Sequence, residues 1–254
     1  MVKLFCPKGL LALSTICLVS SLVSQLSCHA AQKTSTASAA GVSKLIATVD
    51  GGQLAKTIHL KVIPKTANNF DEPPFMNGEP EHLRVSFDSD KITDYGADLQ
   101  SQLLVYPVAA YAQLFKGKER AEFDKTVASL KSIIQKRTAA GVKELPMLPA
   151  VEAYEVFHNH VKILEYKGGT GVAFIACYAQ DEAPLKNGDF FYSYQGLSHD
   201  GKYYISLTYP VKANKLKDNT PLKTGIKLLT NLQDKEFTPS LSDIDKMIES
   251  ISIK

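Results

Sequence analysis

Residues 171–179 are apolar at nearly every position, and this run limits the possible folds more than any other part of the sequence. Side chains alternate across a β-strand, so a strand here directs apolar side chains to both sides. One side carries Val172, Phe174, Ala176 and Tyr178, and the other carries Ala173, Ile175, Cys177 and Ala179. A strand that is apolar on both faces has to be covered on both faces. The run therefore predicts a strand inside a sheet that has a packed layer on each side.

The segments around this run predict an antiparallel meander. Residues 154–166, 189–196 and 202–211 are rich in β-branched and aromatic side chains, as strands are. The glycines within 167–170 and the Asp-Gly pair within 198–201 are typical of tight turns. Strands that are joined by such turns pair antiparallel.

Four shorter runs predict further strands in the N-terminal half. The run at 82–88 alternates apolar and polar side chains, so we expect a half-buried strand there. Pro107 lies near the end of another run and predicts a sheet edge at that point, because proline has no N–H to donate. The four runs are 43–50, 58–63, 82–88 and 102–108.

Two amphipathic helices complete the prediction. Residues 119–137 have apolar side chains at spacings of three and four, which favours a helix with one apolar face. A second helix is expected after Thr238 and Pro239, with the threonine as N-cap and the proline in the first helical position, and residues 250–254 predict a last strand. The helical stripes consist of Phe123, Val127, Leu130, Ile133 and Ile134, and of Leu241, Ile244, Met247 and Ile248.

Together these elements predict the fold class α+β. We expect a single domain over residues 44–254, in which a mainly antiparallel β-sheet meander has helices packed on it. With helices on both faces, the domain is expected to be similar to an α/β/α sandwich.

The N-terminus predicts export from the cytosol. Lys3 and Lys8 precede an uncharged, mostly apolar stretch at 9–26, and Cys28 and Ala30 are small residues at the −3 and −1 positions of a cleavage site. This order of basic, apolar and small residues is typical of a secretory signal, so residues 1–30 are expected to be removed. Without cleavage the stretch could serve as a membrane anchor. The expected location is periplasmic or extracellular.

Residues 31–43 are small and polar and predict a flexible linker. Cys28 leaves open an alternative, a lipid anchor, since a cysteine after an apolar run can be lipidated in bacteria. Ser27 fits that kind of signal and Gln25 does not. In a chain cut after Ala30 only Cys177 remains, so no internal disulfide is possible.

Charge argues against a nucleic-acid partner. The chain has 29 Lys and Arg against 26 Asp and Glu. Removal of the two signal lysines leaves the two signs nearly balanced, whereas polyanion binding needs clustered positive charge. Five lysines beyond the last strand of the meander predict a solvated loop rather than an anion site: Lys212, Lys215, Lys217, Lys223 and Lys227.

Ser198, His199 and Asp200 are the residue types of a catalytic triad, but they are consecutive. A triad needs three side chains that converge, and the side chains of a turn point apart. Serine and aspartate in turns usually bond to the backbone. We therefore predict a structural turn.

His158 and His160 are candidates for a metal site. On a regular strand they share one face, with His82 as a possible third ligand and Glu155 on the opposite face. Surface or partner contact is the favoured interpretation, and no metal and no other cofactor is expected. Asp88, Asp90 and Asp94 do not fit a calcium-binding EF-hand loop, because Ile92 and Thr93 occupy the fifth and sixth positions.

Aromatic residues are dense in the last two strands of the meander. Cross-strand packing is the favoured explanation, and a ligand or partner surface is the alternative. The residues are Phe190, Phe191, Tyr192, Tyr194, Tyr203, Tyr204 and Tyr209.

Several short motifs stand out between residues 82 and 211. They are Phe157-x-x-x-Val161-Lys162, Tyr166-x-Gly168-Gly169-Thr170-Gly171-Val172, Tyr194-Gln195-Gly196-Leu197, Asp200-Gly201-x-Tyr203-Tyr204 and Leu104-Val105-Tyr106-Pro107-Val108. In these motifs the chain resembles an uncharacterised family of bacterial secreted proteins and lipoproteins. The resemblance implies export, and no catalytic residues are carried over from it. The hairpin with its closing helix and strand is also similar to the PsbP/Mog1-like α/β/α sandwich, whose members mostly bind other proteins.

These observations favour a non-enzymatic binding or accessory module of the cell envelope, with an unknown protein or small molecule as its partner. The alternative from another class is an extracytoplasmic hydrolase that uses His82, His158 or His199 as a base. No residue is assigned a catalytic, metal-binding or cofactor-binding role from the sequence.

Overall fold

The computed structural model describes residues 42, 45–71, 76–89 and 100–254. The predicted signal with Cys28, nearly all of the predicted linker, and Asp90 and Asp94 lie outside these residues. Val42, inside the predicted linker, is buried, and its N–H donates to Glu81 Oε1 at 3.0 Å. Packing therefore begins before residue 44.

Eleven strands and four α-helices are present in the described residues. The helices are α1 (Val108–Ala112), α2 (Gly117–Lys136), α3 (Leu222–Asn231) and α4 (Leu241–Ser250), with a 3-10 turn at Asp234–Glu236. The strands are β1 (Ala47–Thr48), β2 (Ile58–Ile63), β3 (His82–Phe87), β4 (Gln102–Pro107), β5 (Tyr154–Tyr166), β6 (Gly169–Ala179), β7 (Phe190–Ser198), β8 (Tyr203–Pro210), β9 (Lys212–Ala213), β10 (Phe237–Thr238) and β11 (Ser252–Ile253).

Seven of the strands form one antiparallel sheet in the order β2-β3-β4-β8-β7-β6-β5. β5 to β8 are consecutive neighbours, as the meander prediction requires. Two small antiparallel pairs, β1 with β11 and β9 with β10, lie outside this sheet. The predicted α+β class with a mainly antiparallel sheet is confirmed.

The sheet is covered on both faces. On one face, called the α2 face, Val172, Phe174 and Ala176 of β6 share a buried cluster with residues of α1 and α2. On the other, called the α4 face, Ala173 and Ile175 share a buried cluster with residues of α3 and α4. These five side chains are 0% exposed. The predicted two-sided burial is confirmed for residues 171–177, while Tyr178 and Ala179 at the end of the run are partly buried.

Two expectations, one about β3 and one about β4, are wrong. β3 is not half-buried, since Arg84 and Ser86 are also buried. β4 lies inside the sheet between β3 and β8, so Pro107 does not mark an edge. Pro107 is the last residue of its strand and pairs with Tyr203, while the next N–H, that of Val108, donates to the Lys202 carbonyl at 2.9 Å. A proline in this last position removes only the terminal bond of the ladder.

Two expectations about the C-terminal region are also wrong. Lys223 and Lys227 lie on α3 rather than in a loop, and Leu229 of this helix is fully buried. Thr238 does not cap a helix: it belongs to β10, and α4 begins at Leu241 after Ser240. The predicted apolar stripe of α4 is nevertheless buried, as expected. Among the described residues, no helix has the length and apolar character needed to cross a membrane.

Candidate functional site

A cleft of about 1070 Å³ lies at one end of the seven-stranded sheet. The first residues of β4 and β7 and the last residues of β6 and β8 reach it. The loop before β5 and the loop between β6 and β7 form its walls, at residues 147–152 and 181–189. We call it the end cleft.

The floor of the end cleft is apolar and belongs to both cores. Leu104 and Phe191 come from the cluster on the α2 face, and Cys177 and Leu185 from the cluster on the α4 face. Tyr178 stacks on Phe191 with ring centroids 6.1 Å apart and planes at 17°. These side chains offer a ligand an apolar surface with an aromatic wall.

Cys177 is the thiol of this floor. It is 3% exposed, and burial, with a contribution from the charge of Asp189, raises its pKa to about 11. The thiol therefore stays protonated at neutral pH and is a poor nucleophile. This agrees with the inert, buried cysteine that its apolar neighbours predicted.

The wall at 181–189 is held by its own backbone contacts. Leu185 and Thr220 exchange two backbone hydrogen bonds of 2.7 and 3.1 Å. The side chain of Asn187 accepts from the N–H of Ala213 at 2.8 Å and lies within 3.4 Å of the carbonyls of Ala213 and Leu216. The loop is thus attached to the segment that follows β8, and the cleft has a fixed wall.

A buried polar network holds the opposite wall. Gln195 Oε1 accepts from the N–H of Leu148 at 3.2 Å and from the Tyr204 hydroxyl at 2.8 Å. Its Nε2 lies 2.9 Å from Ser193 Oγ and 3.1 Å from Met147 Sδ. Met147 lines the cleft, so the network positions a wall residue. A buried amide that is satisfied in this way specifies one conformation.

The charged side chains around the end cleft are mostly acidic. Among the described residues its lining includes three acidic residues, Glu152, Asp181 and Asp189, and one basic residue, Lys186. Asp189 is partly buried, and its Oδ2 accepts from the backbone N–H of Lys186 at 2.9 Å.

His158 and His160 do not form the metal site considered above. The pairing of β5 with β6 shifts register between Asn159 and Lys162, and His160 has φ of 51°. Such a bulge breaks the alternation of side chains. His160 Nε2 consequently lies 2.8 Å from the Leu229 carbonyl on the α4 face, whereas His158 pairs with Glu155.

Glu155 was expected on the face opposite His158, and this is wrong. A second register shift, between Glu155 and Phe157, brings its Oε1 to 2.5 Å from His158 Nδ1. Glu155 Oε2 also accepts from the Tyr178 hydroxyl at 3.3 Å and from the Leu145 N–H at 3.2 Å. The hydrogen bond that His158 donates to the Glu155 carboxylate raises the pKa of His158 in spite of partial burial. The pair adjoins the end cleft through Tyr178, and its two residues are not among the lining residues.

His82 does not join His158 and His160 as a third metal ligand. Its Nδ1 lies 2.8 Å from the Pro80 carbonyl, and its ring packs against Tyr106 with centroids 4.5 Å apart. Burial lowers its pKa. Among the described residues, no three histidine, cysteine or carboxylate side chains come together as a metal site.

The Ser198–Asp200 segment is a turn, as predicted. Ser198 Oγ donates to Asp200 Oδ1 at 2.7 Å. Asp200 Oδ1 also accepts from the N–H of Lys202 at 3.1 Å. His199 is exposed. Asp88 has a comparable structural role, because its Oδ1 accepts from the N–H groups of Lys56 and Thr57.

The aromatic residues of β7 and β8 are core residues. Six of the seven are buried and divide between the two faces of the sheet, and Tyr203 is partly buried. Packing in the core, the favoured explanation, is therefore confirmed for these six side chains. Only Phe191 reaches the end cleft.

Sequence reasoning missed the end cleft. Its parts are separated by long stretches of chain: Gln102, Met147, Cys177, Asp189 and Thr208 all contribute. No local pattern joins them. The only available signal was the pair of Pro- and Ala-containing segments at 146–150 and 183–184, which indicated irregular connections but not that they meet.

Comparisons with protein-family models, with curated proteins and with solved structures find no match for this chain. The resemblances to bacterial secreted proteins and to the PsbP/Mog1-like sandwich stay predictions.

Proposed function

We propose that the protein is an exported, non-enzymatic binding protein that holds a small, mostly apolar ligand in the end cleft. The observation that carries this proposal is the cleft itself, which has an apolar floor and two walls held by hydrogen bonds. Ligand sites are typically concave, mostly apolar and preformed, with volumes of roughly 300–1,000 Å³. The end cleft, at about 1070 Å³, lies just above this range and is large enough for such a ligand.

The chemistry of the lining supports binding rather than turnover. Among the described residues that line the end cleft there is neither histidine nor serine. The Cys177 thiol is protonated at neutral pH because of its raised pKa. A covalent mechanism needs an activated nucleophile with a base beside it, and the lining supplies no such pair.

A neutral, apolar fluorescent dye, N-phenyl-1-naphthylamine, tests the proposal. We expect saturable binding to the purified protein, and Ala150→Trp should weaken it about tenfold or more by filling the wall. Ala121→Trp, at an exposed position of α2 outside the cleft, is the matched control and should bind as wild type does. Dye binding that does not saturate, or that is equal in both variants, would contradict the proposal.

A second candidate, an extracytoplasmic hydrolase, is favoured by the Glu155–His158 pair. The Glu155 side chain is only 5% exposed, and its carboxylate lies 2.5 Å from the imidazole. A buried carboxylate that orients a histidine is the arrangement of a general base. Hydrolysis of p-nitrophenyl acetate that is lost in His158→Ala and retained in His199→Ala would favour this function. Equal rates in the two variants would exclude His158 as the base.

A further inference from the structure

We infer that the ligand of the end cleft carries a protonated amine on its apolar body, and that the Asp189 carboxylate binds this amine. The inference rests on the proposed function and adds to it the chemical class of the ligand.

Asp189 is placed and oriented as an acceptor. It follows Gly188, whose φ is 103°, and directly precedes β7, at the wall of the cleft. Its Oδ2 is held by the Lys186 N–H at 2.9 Å, which fixes the carboxylate. Among the described contacts, Oδ1 accepts no hydrogen bond and forms no ion pair. One oxygen of a fixed carboxylate is thus open to a ligand.

The carboxylate lies close to the apolar floor. Its charge acts on the neighbouring Cys177 thiol and helps to raise the thiol pKa. A carboxylate that is partly removed from water is stabilised by a cation that donates a hydrogen bond. Within the structure this cation is not Lys186, whose ammonium group forms no ion pair with Asp189 among the described contacts. An amine on the ligand would supply it.

The other charged residues that line the cleft also favour a cationic ligand over an anionic one. Glu152 and Asp181 add negative charge to the lining, and Lys186 is the only lining cation among the described residues. The local potential therefore attracts a cationic group and disfavours an anionic one. The stacked rings of Tyr178 and Phe191 provide the surface for the apolar part of such a ligand.

Three eight-carbon probes that differ only in the head group test the inference: octylammonium, octanol and octanoate. Each is titrated against the bound dye N-phenyl-1-naphthylamine at pH 7. We expect octylammonium to displace the dye at about one tenth of the octanol concentration, as one charge-assisted hydrogen bond implies. Octanoate should be the weakest competitor.

Asp189→Asn isolates the charge, because the amide keeps the shape and its oxygen can still accept from the Lys186 N–H. In this variant the affinity for octylammonium should fall to that for octanol, with octanol itself unchanged. Asp124→Asn, on an exposed turn of α2, is the matched control and should retain the full preference. Thermal unfolding of both variants confirms that they are folded.

The outcomes separate the inference from the proposed function. Equal displacement by the three probes, or tighter binding of octanoate, overturns the amine inference and leaves a binding cleft in place. A uniform loss for all three probes in Asp189→Asn shows a structural role and overturns the inference as well. If the wild-type protein binds neither dye nor probes, the proposed function itself is wrong.

Discussion

Lys162 joins the edge strand β5 to helix α4 through Asp245 and to the 3-10 turn before it through Asp234. Its Nζ lies 2.6 Å from Asp245 Oδ2 and 3.1 Å from Asp234 Oδ2, and the Tyr192 hydroxyl donates to Asp245 Oδ1 at 2.6 Å. Burial works against the ammonium, yet these carboxylates raise its pKa overall. The ion pairs of this cluster offset the cost of removing its charged groups from water on the α4 face.

We expect Lys162→Met to lower the free energy of unfolding by about 1–3 kcal/mol, because it leaves the partly buried Asp245 carboxylate without its cation. Lys246→Met, which breaks the exposed contact with Asp243, should change stability by less than about 0.5 kcal/mol. Urea unfolding measures both. Equal effects would show that the Lys162 cluster contributes no more than a surface ion pair.

The Glu155–His158 pair predicts a pH-dependent contribution to stability. The folded-state pKa of His158 is raised above 6.5 by the hydrogen bond that it donates to the Glu155 carboxylate, so the imidazole binds a proton more tightly in the folded than in the unfolded state. This contribution is fully present below pH 6.5 and is lost as the pH rises through the raised pKa.

The free energy of unfolding of wild type relative to His158→Gln should therefore be greatest in mild acid and should shrink towards alkaline pH. Other titrating groups, including His82, are common to both proteins and cancel in the difference. Urea unfolding at a series of pH values gives this measurement, and a difference that grows with pH would refute the assignment.

At the scale of elements, the close approach of β6 to β7 depends on glycine. A Cβ added at Gly171 would lie 2.3 Å from the Gln195 carbonyl oxygen and 2.6 Å from the Gly196 Cα, both backbone atoms. The Tyr194 ring occupies the space beside them. The sheet therefore has no room for a side chain at this position, and the strands would have to separate.

Gly171→Ala should destabilise the protein by about 3 kcal/mol, the upper end of ordinary overpacking. Gly168→Ala is a matched control in the adjoining turn, where the nearest atom is a side-chain carbon of Tyr166 at 3.2 Å. Its effect should be clearly smaller. Thermal and urea unfolding measure the stability of the two variants. Equal losses of stability would mean that the close β6–β7 spacing does not cause the destabilisation in Gly171→Ala.

At the scale of the whole molecule, the predicted export signal has a direct test. If residues 1–30 are a cleaved signal, the protein recovered from outside the cytosol should begin at Ala31. Intact-mass measurement of that protein identifies its first residue. A mature chain that begins at Cys28 and carries added lipid mass would instead establish the lipid anchor, and an intact N-terminus would exclude cleavage.

Sequence alone determined the parts of this protein that depend on local periodicity. The alternating apolar faces of β6, the stripe of α2 through Phe123 and Leu130, and the Ser198–Asp200 turn were all predictable. In each case the side-chain spacing or the turn chemistry of adjacent residues is sufficient. Burial, the main cause of the raised pKa of Cys177, also followed from the apolar run in which this residue lies.

Tertiary structure alone decided the features that need distant segments or a break in periodicity. The interior position of β4 depends on β8, about a hundred residues later, so Pro107 could not reveal it. The bulges of β5 placed Glu155 beside His158 and turned His160 to the other face, because one extra residue reverses the alternation on which the prediction relied. The end cleft exists only where the start of β4 and two distant loops meet the ends of β6, β7 and β8, and no spacing in the chain encodes that meeting.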